Sequence, residues 1–254
     1  ATLTSKLSAS AAIFIDCQCH PTNPEQRCPM PIRGVLFDLD ETLLDRQSAV
    51  SILAEQFADL HGGDLGDADE DDLIRVFLDA DEGGYRPKDE MLARLIAELP
   101  WEREPELQDF LDFWQTTFPR CAQPMPGLYE VLEALRDREM RMGIVTNGPV
   151  AMQNGKIDRL DIRIYFGTIV VSEAVGISKP DPGIFEVALA DLGLPACEVC
   201  FVGDSPTNDI QGAEASGLTP VWIPGTQSWP EGLAPTQHQI NALGDLIPLL
   251  DGMS

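Results

Sequence analysis

The run from Gly34 to Asp45, GVLFDLDETLLD, places the tightest limit on how this chain folds. Val35, Leu36, Phe37 and Leu39 suit a parallel strand covered on both faces. Asp38 and Asp40 interrupt that apolar run two positions apart, and unpaired carboxylates buried there would be costly or would take up protons. Either the strand ends at the aspartates, at the carboxyl edge where open α/β sheets bind ligands, or a cation sits between them. The two solutions are compatible.

Beyond residue 127 the pattern alternates. A helix LYEVLEALRDR is followed by strand MGIVTN, helix AMQNGKIDRL, short strand GTIVV, helix GIFEVALADLG, strand VCFVGD, helix DIQGAEASG and strand TPVWI. Strands alternating with helices require right-handed crossovers and a mostly parallel sheet, so the fold class is α/β. Between the first strand and this region, the spacing of Ile52, Leu53, Phe57 and Leu60, then of Leu73, Ile74, Phe77 and Leu78, predicts helices. Gly- and Asp-rich turns, HGGDLGDADEDD and DADEGGYRP, break them. An all-helical unit is thus inserted after the first strand, with Phe110, Phe113 and Trp114 as its core. Asp38, Asn147, a loop near Lys179, and Asp204 stand at the strand ends and are expected to meet along one sheet edge.

Charge narrows the partners. Lys and Arg number 17 against 42 Asp and Glu, a net charge of −25, which repels nucleic acid and anionic membranes. No apolar run reaches the roughly 18 to 20 residues of a membrane span. Small molecules and metal cations remain, and an anionic substrate needs local positive charge. The six cysteines do not read as a disulfide framework in 254 residues, so reduced thiols and a cytoplasmic location are expected. Cys17, Cys19 and His20 in CQCH, with Cys28, form a nominal zinc set, but C-x-C-H is not a common structural spacing. Residues 1–30 read as an N-terminal extension, with disorder one expectation for it and Met30 a natural start. His61 reads as a turn or surface residue. Arg46 either reaches an anionic substrate group or is a hinge-surface arginine.

The segments DLDET, TNG, SKPDP and GDSPTND resemble, in order and spacing, the four signature motifs of the haloacid dehalogenase-like hydrolase superfamily, across most of residues 32–223. The helical insert resembles that superfamily's C1-type cap. The resemblance implies a Rossmann-like, mostly parallel core over 31–45 and 121–254, with an all-helical cap over 46–120. Asp38 matches the nucleophile that forms an aspartyl-phosphate. A carboxylate can attack phosphorus once a divalent cation offsets the repulsion between two anions. Asp40 lies on the same side of an extended chain as Asp38 and matches the general acid and base. The dehalogenase branch lacks that second aspartate, so Asp40 argues for phosphate chemistry.

By the same resemblance, Thr42 shapes the turn and orients Asp40, and Glu41 replaces the glycine commonest there. Thr146 and Asn147 bind the phosphoryl group, and Lys179 offsets charge beside Asp38 as a catalytic and phosphate-binding residue. Asp204, with Asp38 and the Asp40 carbonyl, holds Mg²⁺. Asp209 orients Lys179 or metal-bound waters. Ser205 and Asn208 shape the loop and cap the next helix. Gln153 and Lys156 resemble a Q-x-x-K stretch common in nucleotidase-like members, and read as helix-surface residues outside the site.

The expected function is a Mg²⁺-dependent phosphatase acting on a small-molecule phosphate monoester through an aspartyl-phosphate. A sugar phosphomutase is the alternative enzyme, and a phosphate-binding regulator without turnover the alternative class. Phosphate released from an aryl phosphate separates enzyme from binder. An isomerised sugar phosphate identifies the mutase.

Overall fold

The computed structural model describes residues 31–66 and 69–253, so the CQCH segment and Cys28 lie outside the described residues. Five strands, β1 (Gly34–Phe37), β2 (Arg141–Thr146), β3 (Thr168–Val171), β4 (Val199–Gly203) and β5 (Thr219–Trp222), form one parallel sheet in the order β3-β2-β1-β4-β5. This is an α/β fold with a Rossmann-like sheet. β1 is central, which is why Val35, Leu36 and Phe37 are all fully buried. Leu36 joins Val145 and Phe201 against Ile184, Phe185 and Ala188 of a helix on one face. Val35 and Phe37 join Ile144 and Val202 against Val131, Leu132 and Leu135 of a helix on the other. From β1 the chain winds outward through β2 and β3, then returns to the opposite side for β4 and β5. The winding direction therefore reverses between β1 and β4, and a crevice opens at their carboxyl ends.

Among the described residues five α-helices intervene between β1 and β2, and the first four form the insert: α1 (Arg46–His61), α2 (Glu70–Asp81), α3 (Lys88–Glu98) and α4 (Leu107–Thr117). Asp45 starts α1 by accepting a hydrogen bond from the Ser48 amide at 2.9 Å, and Asp69 starts α2 in the same way from Asp71. Phe57 stands at the centre of their core, with ring centroids of Phe77, Phe110 and Phe113 at 5.1, 6.0 and 5.3 Å. His61 is the last residue of α1, and its ring packs 4.4 Å from that of Phe57 instead of lying free on a turn.

The second half carries α5 (Leu128–Asp137), α6 (Val150–Arg159), α7 (Ser172–Val175), α8 (Pro182–Leu192), α9 (Gly212–Ala215) and α10 (Leu246–Gly252). The expected helix over DIQGAEASG differs in detail. A π-helical turn, Pro206–Gln211, precedes the short α9. The Ile210 amide donates to the Ser205 carbonyl at 3.2 Å, and the Asp209 carboxylate accepts from the Ser205 amide at 2.9 Å, so the side chain holds the widened turn. Among the described residues no helix is long and apolar enough to cross a membrane. Cys121 and Cys200 are buried thiols, and burial pushes them up to about 11 and about 12.

Candidate active site

Asp38 follows β1 directly, and its amide donates to the Val202 carbonyl at 2.9 Å, extending the ladder by one residue. Asp204 follows β4, the neighbouring strand, so the sheet brings the two carboxylates together at the reversal point. Lys179, in the loop between α7 and α8, donates to Asp38 Oδ1 at 2.6 Å and to Asp209 Oδ1 at 2.7 Å. Asp209 Oδ2 takes the Ser205 amide, so both its oxygens are committed. The second oxygen of Asp38 and the carboxylate of Asp204 carry no hydrogen bond among the described residues. One oxygen from each of Asp38, Asp204 and Asp209 lies within 4.8 Å of the others.

The electrostatics are unbalanced. Burial pushes Asp38 up to about 7 against the pull of Lys179, with Asp209 adding to the rise. Burial pushes Asp204 up to about 9, and the charges of Asp209 and Asp38 add to it. Burial alone would lower Lys179, but Asp209 and Asp38 outweigh it and hold the ammonium charged. Three buried carboxylates face one cation, and hard oxygen donors in that setting fit a divalent cation such as Mg²⁺.

Asp40 is oriented by residues that the sequence reading left outside the site. Lys156 Nζ donates to both its oxygens at 2.8 and 2.9 Å, Gln153 Nε2 to Oδ2 at 3.1 Å, and Arg46 Nη1 to Oδ1 at 2.9 Å. Gln153 and Lys156 were expected on a helix surface, yet each is about 98% or more buried. They share the inward face of α6 with Ile157, and the Gln153, Lys156, Ile157, Leu160 spacing is the helical signal that could have found them. Arg46 is likewise buried, one turn before Ala49, Val50 and Leu53 on the inner face of α1. It is no surface residue, because Asp81 takes its Nε and Nη2 at 2.7 and 2.9 Å. Burial alone would raise Asp40, but Lys156 and then Arg46 hold it well below the usual carboxylate range.

The other expected site residues divide. Thr146, the last residue of β2, accepts from Gln153 Nε2 at 2.6 Å. Asn147 spends its carboxamide on the Lys179 backbone, donating to the carbonyl at 3.0 Å and accepting the amide at 2.9 Å. Its side chain thereby pins the loop that carries the lysine. Thr42 makes no bond to Asp40, because its hydroxyl is fully buried with no hydrogen-bond partner among the described residues. Glu41 has φ 57°, a left-handed conformation that explains why glycine suits this position. Its Oε1 is also buried without a hydrogen-bond partner among the described residues, and burial pushes the carboxyl up to about 7.

A cavity of about 740 Å³ opens over these groups, lined from the sheet side by Asp38, Asp40, Thr146 and Lys179 and from the helical insert by Arg46, Lys88 and Trp114. Asp81 sits behind it at 2% exposure, holding both Arg46 and Lys88. Burial opposes its ionisation, yet Arg46 and Lys88 bring it down to about 2. Asp81→Asn leaves two desolvated cations sharing too little negative charge, and is expected to cost about 3 kcal/mol of folding stability. Urea unfolding checks this, and a loss under about 1 kcal/mol would mean the pair is solvated.

A family model for haloacid dehalogenase-like hydrolases matches residues 32–217. The chain is 33% identical over 203 residues to the glyceraldehyde 3-phosphate phosphatase of Methanopyrus kandleri, covering 76% of this chain and 84% of that protein. It is 39% identical over 129 residues to the pyrimidine 5'-nucleotidase YjjG of Escherichia coli, an alignment spanning 50% of this chain and 56% of the nucleotidase. The fold resembles that of the magnesium-bound HAD-hydrolase YfnB of Bacillus subtilis, with a TM-score of 0.69 at 24% identity, covering 87% of this chain and 100% of that one.

Proposed function

We propose residue roles for this chain, which belongs to the haloacid dehalogenase-like hydrolases and hydrolyses phosphate monoesters. The observation that carries them is the Lys179 ammonium bridging Asp38 and Asp209 beside Asp204, at the carboxyl ends of adjacent central strands. Asp38 attacks phosphorus through the oxygen that Lys179 leaves free. An O–P bond forms at Asp38 while the bond from phosphorus to the leaving oxygen breaks. Lys179 and the Thr146 hydroxyl hold the phosphoryl oxygens. Asn147 contributes by holding the Lys179 backbone. Asp40 gives a proton to the leaving alkoxide, then takes one from the water that cleaves the aspartyl-phosphate and restores Asp38. In the ground state Lys156, Arg46 and Gln153 keep Asp40 ionised and ready for the base half. An arriving phosphate dianion repels that charge and favours the protonated form needed for the acid half.

Asp38, Asp204 and the Asp40 carbonyl would hold Mg²⁺, which supplies the positive charge that lets carboxylate and phosphate approach. Asp209 keeps Lys179 charged and aimed. The helices within 46–120 act as a cap that excludes water from the cavity and contacts the leaving group.

The leaving group separates the two duties of Asp40. Asp40→Asn is expected to slow an alkyl phosphate by about 10²- to 10⁴-fold, because its alkoxide departs poorly without a proton. Nitrophenyl phosphate needs no such help, so it is expected to give a burst approaching one nitrophenolate per enzyme, followed by slow hydrolysis of the intermediate. Equal fractional losses on both esters with no burst would leave Asp40 a structural residue only.

A further inference from the structure

We infer that Lys88 makes this enzyme select phosphate monoesters whose leaving group carries a second anionic group, a carboxylate or another phosphate. The inference rests on the phosphate-ester reading above and adds the substrate class. Its starting point is the distribution of a scarce residue. The chain has four lysines and a net charge of −25, yet Lys88, Lys156 and Lys179 all line the same cavity, with Arg46.

These cations differ in what they have left to offer. Lys179 gives two of its three donors to Asp38 and Asp209, its side chain is 3% exposed, and its remaining donor is the one assigned to the phosphoryl group. Lys156 is committed to both oxygens of Asp40 and to Gln153 Oε1 at 2.8 Å. Arg46 spends Nε, Nη1 and Nη2 on Asp81 and Asp40. Among the described residues Lys88 makes a single carboxylate bond, 2.8 Å to Asp81 Oδ1, and also meets the Met91 sulfur at 3.7 Å and the Trp114 ring, 4.0 Å from the centroid. Its side chain keeps 21% of its exposure and lines the cavity. An ammonium has three donors, so Lys88 retains capacity for an incoming acceptor.

The surrounding charge points the same way. The ion-paired cluster holds Arg46, Lys88 and Lys156 against Asp40 and Asp81, an excess of one positive charge in a largely desolvated setting. Asp81 already binds Arg46 through both oxygens, so its charge is shared between two cations. An anion on the leaving group would complete the balance. Elsewhere on the cavity wall Leu111, Gln115 and Met152 are uncharged and Glu173 is acidic. A flat uncharged leaving group finds no open face on Trp114, which is 1% exposed, with the Lys88 ammonium over its ring and the Phe118 ring stacked 4.8 Å away.

The test compares esters matched except for the second charge: phosphoglycerate and glycerol bisphosphate against glycerol phosphate. The wild-type enzyme is expected to favour the charged pair by at least about tenfold in kcat/KM, the scale of one charge-assisted hydrogen bond. Phosphoglycerate ahead of the bisphosphate assigns a carboxylate, and the reverse order a phosphate. Lys88→Met, which keeps an unbranched side chain over Trp114, is expected to erase most of that ratio, and Lys88→Arg to retain it. A ratio taken on one preparation cancels any loss of folded enzyme. No preference in the wild type, or the same preference in Lys88→Met, overturns the proposal. Calorimetric binding of the same esters to Asp38→Asn repeats the comparison without turnover. Should no ester be hydrolysed, the phosphatase reading fails while a tenfold binding preference lost in the Asp38→Asn, Lys88→Met double variant still supports Lys88, and equal affinities reject it.

Discussion

Asp38→Asn is expected to lower turnover by at least about 10⁴-fold while leaving the fold intact. An amide nearly matches a carboxylate in shape but is not a nucleophile at phosphorus. The backbone bond from residue 38 to Val202 does not involve the side chain, and Lys179 keeps Asp209 as its counter-ion at 2.7 Å. The substitution also removes a carboxylate that burial pushes up to about 7, so no large stability loss follows. Turnover on nitrophenyl phosphate and a thermal melt on the same preparation make the measurement. Activity within tenfold of wild type, with an unchanged melt, would remove Asp38 from the nucleophile role.

Removing divalent metal is expected to lower phosphate release by about 10³-fold or more, with Mg²⁺ restoring it, and to change the pH dependence of stability. Without metal, burial holds Asp38 at about 7 and Asp204 at about 9, whereas unfolded aspartates titrate near ~3.9. Over that interval the folded state keeps protons that the unfolded state has lost. The contribution of these groups to stability is therefore complete below the unfolded value, and it is lost as pH rises through about 7 and then about 9. A bound cation replaces those protons, so metal affinity rises with pH. The gain in melting temperature from Mg²⁺ is expected to be near zero at about pH 5 and roughly 5 to 10 °C at about pH 8 with metal at ~100 times its dissociation constant. Full activity in chelator, or a gain that does not grow with pH, would reject a metal held by Asp38 and Asp204.

Much of the fold was legible because its signals are local. A fully apolar strand ending in carboxylates, followed later by strands alternating with helices, requires a covered parallel sheet with ligands at its carboxyl edge. Helical spacing over the insert likewise announced a core with Phe110, Phe113 and Trp114, of which Phe113 is only partly buried. The π-helical turn was not legible, because what widens it is a bond between the Asp209 side chain and the Ser205 backbone, and no periodicity encodes that.

The sequence by itself determined which residues carry charge and which helix faces turn inward. Arg46 with Ala49, Val50 and Leu53, and Lys156 with Ile157 and Leu160, already mark buried faces. What stands opposite those faces is set only when Arg46 of α1 and Lys156 of α6 meet at Asp40, just past the end of β1. Long-range packing places Asp40 between Arg46 and Lys156, although Asp40 and Lys156 are 116 residues apart in the chain. It also directs the Asn147 side chain to the Lys179 backbone and leaves the Thr42 hydroxyl without a partner among the described residues. A helical period reports direction relative to the helix axis and nothing about the neighbour. The charge of an inward cation is therefore written in the sequence, whereas its counter-ion is chosen by tertiary contact, because burial in a low dielectric tolerates that cation only where packing has brought a carboxylate to meet it.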